Sequence, residues 1–320
     1  MRTPETATID GGLVSRIESL IQRHRRMVDE LSALTRQAKD RLIEFTDRPL
    51  IMGVVNVTPD SFFDGGHYLD TAAAVAHAIQ LVEEGADLLD VGAESTRPGA
   101  DIVNEAEERR RAIPVVTAVA KAVTVPISID TSKAAVARAA LDAGAVLVND
   151  VTALQGDPAM VDVVARTGAG IVLMHMYGKP RTMQQDPRYD DVAGEISDFF
   201  DERIRFARAH GIVRRQIILD PGIGFGKLLL HNLTLLAQLC RFEQFECPLL
   251  IGVSQKAFLG QLVGRPVQER QWGTAAAVAI AVDRGAGILR VHDVKAMKDV
   301  MLVAAAISRL TTLSMKAQHA

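Results

Sequence analysis

Eight short apolar runs, each followed by a polar turn and a helical stretch, recur from Leu50 onward. Each run is rich in β-branched residues and bounded by turn residues, which is typical of parallel strands buried on both faces. The runs lie at residues 50–55, 86–91, 125–129, 145–148, 169–174, 216–219, 247–253 and 287–291. The stretches between them, such as 71–84 and 132–143, are alanine-rich and predict helices.

This repeat predicts an α/β fold, a single (β/α)8 barrel over residues 49–320. Eight βα units in about 260 residues match the usual size of such a barrel. A doubly wound open sheet is the alternative, but it normally has fewer strands and a glycine-rich first turn. Neither feature occurs here, so the barrel is favoured.

Residues 1–48 lack the repeat and are predicted to form an N-terminal helical extension. No proline occurs between positions 12 and 47, and apolar residues recur at spacings of three, four and seven. These residues are Ile17, Leu20, Met27, Leu31, Leu34 and Ala38. The pattern predicts an amphipathic helix that either docks on the barrel or joins a second subunit or partner.

Composition excludes several partners. The 36 basic and 39 acidic residues leave a net charge of −3, which gives no global basic field for nucleic acid. No apolar run approaches the ~20 residues that span a bilayer, and the N-terminus lacks the apolar core of a signal peptide. Cys240 and Cys247 are not spaced as a metal motif and are expected to be reduced. We therefore expect a cytoplasmic protein.

Polar side chains follow every one of the eight runs. In a βα barrel the active site lies at the carboxyl ends of the strands, so these residues are expected to converge. They include Asn56, Glu94, Thr96, Arg97, Asp130, Lys133, Asn149, Asp150, His175, Asp220, Lys227, Ser254, Gln255, Lys256 and His292, and the eighth run itself contains Arg290. Each alone has another explanation, such as a helix cap at Asp130 or a turn at Asn149. Convergence from eight strand ends predicts one binding site.

The residue types divide this site into two halves. Asp130, Asn149 and Asp220 offer acceptors and an amide, which suit a flat, nitrogen-rich heterocycle with several N–H donors. Lys256, near the start of a predicted helix, is suited to position that heterocycle or an incoming nucleophile. This half of the site predicts a heterocyclic substrate.

The second half suits an anion. Arg97, Arg290 and His292 offer cationic or donor groups for phosphate. Asn56 offers a hard oxygen ligand for a magnesium–diphosphate pair, in which Mg²⁺ keeps several waters. The chain contains no Ser-His-Asp arrangement, no G-x-G-x-x-G after a strand and no Walker phosphate loop.

Two long segments resemble the signatures of dihydropteroate synthases. The first reads Met-Gly-Val-Val-Asn-Val-Thr-Pro-Asp-Ser-Phe at 52–62, and the second reads Asp-Val-Gly-Ala-Glu-Ser-Thr-Arg-Pro-Gly at 90–99. Shorter matches lie at 128–131, 149–150, 174–176, 220–227 and 290–294. The chain is identified as a member of this family over positions 50–310.

The resemblance implies a (β/α)8 barrel, usually dimeric, that joins 6-hydroxymethyl-7,8-dihydropterin diphosphate to 4-aminobenzoate and releases pyrophosphate. It implies that Mg²⁺ binds near Asn56. It assigns catalytic roles to Lys256, Asp130, Asp220 and Arg290. It assigns substrate binding to Asn149, Met174, Phe225, Thr96, Arg97, His292, Ser254 and Gln255.

One motif departs from the family. Where Ser-Arg-Lys-Ser is usual, this chain reads Ser-Gln-Lys-Ala at 254–257. The family receives the carboxylate of 4-aminobenzoate there, and loss of one hydroxyl donor costs about 1–3 kcal/mol. The chain either still uses 4-aminobenzoate, held by the helix N-terminus and backbone N–H groups, or takes an arylamine without that carboxylate, as in methanopterin-type pathways. A non-catalytic pterin-binding paralogue is the third interpretation.

Two other classes are less consistent with the sequence. A pterin-binding methyltransferase shares the barrel and an Asp/Asn/Asp pocket, but it has no need of diphosphate-binding groups such as Arg97 and His292. A non-enzymatic scaffold would need neither these groups nor the polar loops after the first two strands. Both alternatives are therefore less favoured than the synthase.

Overall fold

The computed structural model describes residues 48–57, 67–95, 102–178 and 182–318, together with Ile43 and Phe45. The rest of the predicted N-terminal extension lies outside these residues, as do Thr96, Arg97 and residues 58–62 of the first signature. The barrel belongs to the unit that runs from Asp47 to Ala320.

Eight parallel strands form the barrel within the described part of the chain. Their bounds are β1 Leu50–Asn56, β2 Leu88–Gly92, β3 Ile127–Asp130, β4 Leu147–Asp150, β5 Gly170–Met174, β6 Ile217–Asp220, β7 Leu250–Ile251 and β8 Ile288–Val291. Strands β1 to β6 pair in chain order, and β8 pairs with both β1 and β7. A bridge between Leu219 and Leu249 joins β6 to the start of β7. The ring closes, so the predicted (β/α)8 barrel is confirmed.

A helix follows each strand. The helices are α1 His67–Glu83, α2 Glu105–Ala122, α3 Ala134–Ala143, α4 Met160–Thr167, α5 Val192–Ala209, α6 Leu229–Ala237, α7 Ala257–Val263, α8 Gln271–Asp283 and α9 Val294–Gln318. Both α7 and α8 follow β7, with a 3₁₀ turn at Val267–Glu269 between them. None of the described helices is both long enough and apolar enough to cross a membrane.

Strand side chains alternate between two environments. Outward residues such as Ile51, Val91 and Leu289 are fully buried in the main core against the helices. Each such burial contributes about 2 kcal/mol. The alternate positions, such as Met52 on β1 and Leu88 on β2, point into the barrel because successive strand residues face opposite sides. The barrel interior is therefore a filled core rather than a channel.

The strands extend further than the apolar runs predict. The runs end at residues 55, 129 and 219, whereas β1, β3 and β6 include Asn56, Asp130 and Asp220. The reason is that these polar residues keep strand backbone pairing: Asp130 lies level with Gly92 on β2 and with Asn149 on β4. Polar side chains thus stand on the rigid rim of the barrel rather than in loops.

Candidate active site

Four polar side chains meet at the rim in one buried network. Arg290 on β8 donates from Nε to Oδ2 of Asp90 at 2.6 Å and from Nη2 to Oδ2 of Asp130 at 3.0 Å. Asn149 on β4 donates from Nδ2 to the same Oδ2 of Asp90 at 3.0 Å. Asp90 is fully buried, and Asp130 and Asn149 are nearly so. One guanidinium therefore serves two carboxylates from different strands.

Within the described part of the chain, three buried oxygens of this region lack a hydrogen-bond partner. They are Oδ1 of Asp90, Oδ1 of Asn149 and Oγ of Ser128. Leaving a buried acceptor unpaired costs about 1–3 kcal/mol. Such groups mark a place where a ligand or ordered water completes the bonding.

Burial changes the acidity of the two rim carboxyls. Burial and the neighbouring charge of Asp90 raise the pKa of Asp130, although Arg290 opposes the shift. Burial also raises the pKa of Asp220 to about 6, against the N–H of Gly222, which donates to Oδ1 of Asp220 at 2.7 Å. The charges of Lys256 and Arg290 act on Asp220 in the same lowering direction, so these groups share one electrostatic environment. Perturbed carboxyls in a cleft are candidates for function.

Lys256 lies beside this environment. It caps the N-terminus of α7 with extended backbone, as its predicted place near a helix start requires. Its Nζ lies 4.3 Å from the ring centroid of Phe225, within the range of a cation–π contact. A Cβ at Gly224, which has φ +86°, would lie 3.2 Å from Cδ of Lys256. Glycine at this position therefore lets the lysine stem pass closely over the loop after β6.

The residue before Lys256 is held by its backbone. Gln255 has a left-handed φ of +58°, which is uncommon for a residue with a side chain. Its N–H donates to Oγ1 of Thr274 at 3.2 Å, and its carbonyl accepts from Nη1 of Arg270 at 3.1 Å. Its side chain is exposed. Two residues at the start of α8 thus fix the Ser-Gln-Lys-Ala turn without using the Gln255 side chain.

The remaining predicted residues lie on the same rim. Ser254 Oγ lies 2.9 Å from Nδ1 of His292 and accepts the N–H of His292 at 3.3 Å. Asn56 is half-buried at the end of β1, where its register partner is Gly92. Met174 is buried at the end of β5. Asp150 differs from this group, because its carboxylate accepts the N–H and hydroxyl of Thr152 and the N–H of Leu154 and so fixes the turn after β4.

Two further clusters join the loops that follow the strands. Lys227 is buried and donates from Nζ to the carbonyl of Phe225 at 3.0 Å, and its Nζ lies 3.0 Å from Nδ1 of His175. A Cβ at Gly222, with φ +69°, would lie 1.9 Å from the carbonyl oxygen of His175, so only glycine fits there. The loop that carries Phe225 therefore packs directly against the end of β5.

The second cluster joins the loops after β2 and β3. Nζ of Lys133 lies 2.6 Å from Oε2 of Glu94 and 2.5 Å from Oε2 of Glu108, whose side chain is fully buried. Burial opposes it, but the hydrogen bonds that Lys133 donates to Glu108 and Glu94 raise the pKa of Lys133. Oε1 of Glu94 accepts the N–H of Val103 at 2.8 Å. Glu94 therefore ties together the two ends of the loop that contains Thr96 and Arg97.

Sequence reasoning missed Asp90, and it placed Lys227 and Glu94 at the predicted site without giving either a specific role. Asp90 had a detectable signal, because a charged residue inside an apolar parallel strand must be paired when buried. Arg290, the charged residue inside the eighth run, was its available partner. Lys227 and Glu94 follow apolar runs, but that position alone does not indicate which partners they contact.

Comparisons with known proteins give a consistent result. The family model described as "Pterin binding enzyme" matches residues 52–292. The dihydropteroate synthase of Synechocystis sp. is 45% identical over 269 residues, covering 84% of this chain and 93% of that protein.

Solved structures agree in fold and sequence. The dihydropteroate synthase of Yersinia pestis, described with a sulfonamide drug, matches with a TM-score of 0.80 and 46% identity, covering 85% of this chain and 98% of that one. The enzyme of Xanthomonas albilineans, described with 4-aminobenzoic acid, matches with a TM-score of 0.77 and 48% identity, covering 82% and 93%.

Proposed function

Because the chain belongs to the dihydropteroate synthases, a family of pterin-binding enzymes, we propose that its rim residues join a pterin to an arylamine. The enzyme is a transferase that joins a pterin to an arylamine through a new C–N bond. The substrates are 6-hydroxymethyl-7,8-dihydropterin diphosphate and 4-aminobenzoate, and the products are 7,8-dihydropteroate and pyrophosphate.

Asp130, Asn149 and Asp220 receive the N–H groups of the pterin. The single observation that carries this assignment is the buried Oδ1 of Asn149, which lacks a partner among the described residues beside the nearly buried Asp130. A site built to accept hydrogen bonds discriminates strongly against ligands without donors, because its buried acceptors would stay unpaired. Met174 packs against the face of the ring, and Phe225 and Lys256 close its other side.

Arg290, His292 and Arg97 receive the diphosphate, and Thr96 and Ser254 are assigned to substrate binding with them. Asn56 fits Mg²⁺, because its half-buried amide oxygen is a hard ligand and Mg²⁺ commonly takes one or two protein oxygens with substrate phosphates. Within the described residues, no group of three or more His, Cys, Asp or Glu side chains is arranged to hold a metal. When bound, Mg²⁺ would stabilise negative charge on the leaving diphosphate.

The chemistry then needs charge stabilisation more than proton transfer. The C–O bond to the diphosphate breaks, the electron pair leaves with the diphosphate, and the exocyclic methylene becomes electron-poor. Arg290 and His292 stabilise the departing charge, which is usually the largest catalytic contribution. The amine of 4-aminobenzoate attacks the methylene, and its proton is lost to solvent after the C–N bond forms. Lys256 positions the two partners beside Phe225.

The arylamine is received at the Ser-Gln-Lys-Ala turn. Gln255 lacks the guanidinium of the usual motif, and the exposed Ala257 lacks its hydroxyl. The backbone is still fixed by Arg270 and Thr274, which supports retention of 4-aminobenzoate as substrate over loss of this half of the site.

Pyrophosphate release tests the assignment of residues. The purified protein is given the pterin diphosphate and Mg²⁺, with and without 4-aminobenzoate. We expect release that depends on the arylamine and that falls by about 10²–10³-fold in Lys256→Ala and Asp130→Ala. Lys295→Ala, which changes an exposed lysine of α9, is the matched control and should behave as wild type. Undiminished release by Asp130→Ala would remove that residue from the site.

The protein is proposed to act as a cytoplasmic homodimer. Trp272 is 81% exposed, and Leu262, Val263 and Val267 nearby in the chain are also exposed. An apolar group of this kind on α7, α8 and the turn between them favours a protein interface. Two free cysteines suit a reducing compartment. Light scattering of the full chain should give the dimer mass, and Trp272→Glu should shift it towards the monomer.

A further inference from the structure

We propose that Asp90 is a positioning residue for the reaction, because its carboxylate orients both the amide of Asn149 and the guanidinium of Arg290. The inference rests on the proposed function, in which Asn149 receives the pterin and Arg290 receives the diphosphate. Asp90 itself is not required to touch either substrate.

The geometry places one oxygen of Asp90 between these two groups. Oδ2 of Asp90 accepts from Nε of Arg290 at 2.6 Å and from Nδ2 of Asn149 at 3.0 Å. Asp90 lies mid-strand on β2 and is fully buried, while Asn149 is on β4 and Arg290 on β8. The two substrate-binding side chains are therefore connected through a third side chain on a rigid strand.

The contact decides which way the amide of Asn149 faces. A carboxylate paired with a guanidinium accepts hydrogen bonds and donates none, so Nδ2 of Asn149 must face Asp90. Oδ1 of Asn149 is then left as a buried acceptor without a partner among the described residues. If the amide were flipped, Nδ2 rather than Oδ1 would face the pterin. A donor of Asn149 would then face the N–H donors of the pterin.

Arg290 is oriented by the same contact. Asp90 engages Nε, and Asp130 engages Nη2 at 3.0 Å. A guanidinium has five N–H donors in a fixed fork, so holding Nε fixes the plane of the whole group. The remaining N–H groups are then available to an anion. Asp90 thus links pterin recognition to diphosphate recognition.

Stability alone does not require this arrangement. Replacing a buried ion pair by packed apolar side chains is often neutral or stabilising. A second oxygen of Asp90, Oδ1, is buried without a partner in the described chain, which is unfavourable for folding. The network is better explained by the orientation that it imposes on Asn149 and Arg290.

A swap of the two side chains tests the inference. Asp90→Asn and Asn149→Asp are made singly and together, and binding of 6-hydroxymethyl-7,8-dihydropterin is measured by calorimetry. We expect Asp90→Asn to weaken binding at least about tenfold, because Asn149 is then free to flip. The double variant exchanges the carboxylate and the amide. The net charge, the hydrogen bond between positions 90 and 149, and an acceptor at position 149 are therefore all kept. It should recover most of the pterin affinity.

Turnover supplies a second readout. In the double variant Arg290 loses its charged partner at position 90, so kcat with the pterin diphosphate should stay low while pterin affinity recovers. A purely structural role would move both together. If Asp90→Asn fails to fold, the double variant alone carries the test.

The outcomes separate this inference from the proposed function. Wild-type protein that does not bind the pterin would overturn the proposed function. Wild-type protein that binds it, with unchanged affinity in Asp90→Asn or no recovery in the double variant, would overturn only the role of Asp90.

Discussion

Nζ of Lys227 lies 3.0 Å from Nδ1 of His175, and both side chains are buried where the loops after β5 and β6 meet. Burial lowers the pKa of Lys227 to about 7, and burial together with the Lys227 charge lowers the pKa of His175 to about 2. A buried lysine with a readily lost proton can donate to His175 and to the carbonyl of Phe225 without carrying a full charge.

This pair predicts a pH dependence of stability. An unfolded lysine titrates near ~10.4, so between about pH 7 and pH 10 the unfolded chain binds one more proton at Lys227 than the folded chain. Wild-type stability therefore gains a contribution that rises with pH across this window, by at most about 1.4 kcal/mol per unit. Lys227→Met lacks that contribution.

Urea unfolding at pH 7, 8 and 9 measures the effect. The unfolding free energy of wild type minus that of Lys227→Met should increase with pH. Lys295→Met, at an exposed position of α9, should follow wild type. If the unfolding free energies of wild type and Lys227→Met changed with pH in parallel, Lys227 would be charged in the folded protein.

Asp220 predicts a pH dependence of binding. Burial raises its pKa to about 6, and only the ionised carboxylate accepts from two N–H groups of the pterin. Affinity for 6-hydroxymethyl-7,8-dihydropterin should rise as pH increases through about 6. This ligand lacks the diphosphate, so no phosphate titration interferes. In Asp220→Asn the binding should be weaker and should lose this rise, and a rise that persists there would assign it to another group.

Restoring the usual motif should improve use of the arylamine. Ala257→Ser adds a hydroxyl donor at the first residue of α7, and one hydrogen bond to a carboxylate is worth about 1.5–3 kcal/mol. We expect the KM for 4-aminobenzoate to fall about 10–100-fold in Ala257→Ser combined with Gln255→Arg, and the inhibition constant of a sulfonamide to fall with it. The KM for the pterin diphosphate is the internal control and should not change. Unaltered constants for both arylamine-site ligands would mean that neither position contacts them.

Lys133 is expected to stabilise the folded protein through its ion pair with Glu108. Lys133→Met leaves Glu108 fully buried without its cation, and breaking such a pair costs about 3–5 kcal/mol. Urea unfolding should show this loss. Lys133→Met combined with Glu108→Gln should recover much of it, because the buried charge is removed as well. A loss below about 1 kcal/mol in the single variant would mean that Glu108 takes up a proton or reaches another partner.

The barrel and most of its rim could be predicted because their signals are local. Strands buried on both faces give short apolar runs, and the residue after each run must lie at the carboxyl end of a strand. Asp130, Asn149 and Asp220 were found by this rule alone. The family was predicted from its signatures and is confirmed by the comparisons.

Partnerships across the barrel could not be predicted in the same way. Asp90 and Arg290 are 200 residues apart in the chain, and their contact depends on the register of β1 with β2 and β8. The orientation of Asn149 depends in turn on Asp90. The contact of Lys227 with His175 likewise needs the close approach of two loops at Gly222, which no sequence spacing specifies.

The most direct test measures both products in one reaction. Purified protein is incubated with the pterin diphosphate, 4-aminobenzoate and Mg²⁺, and 7,8-dihydropteroate and pyrophosphate are quantified together. Formation of the two products in equal amounts, with neither appearing when the arylamine is omitted, is the expected result. Pyrophosphate without dihydropteroate, or tight pterin binding with neither product, would contradict the claim that this rim joins a pterin to 4-aminobenzoate.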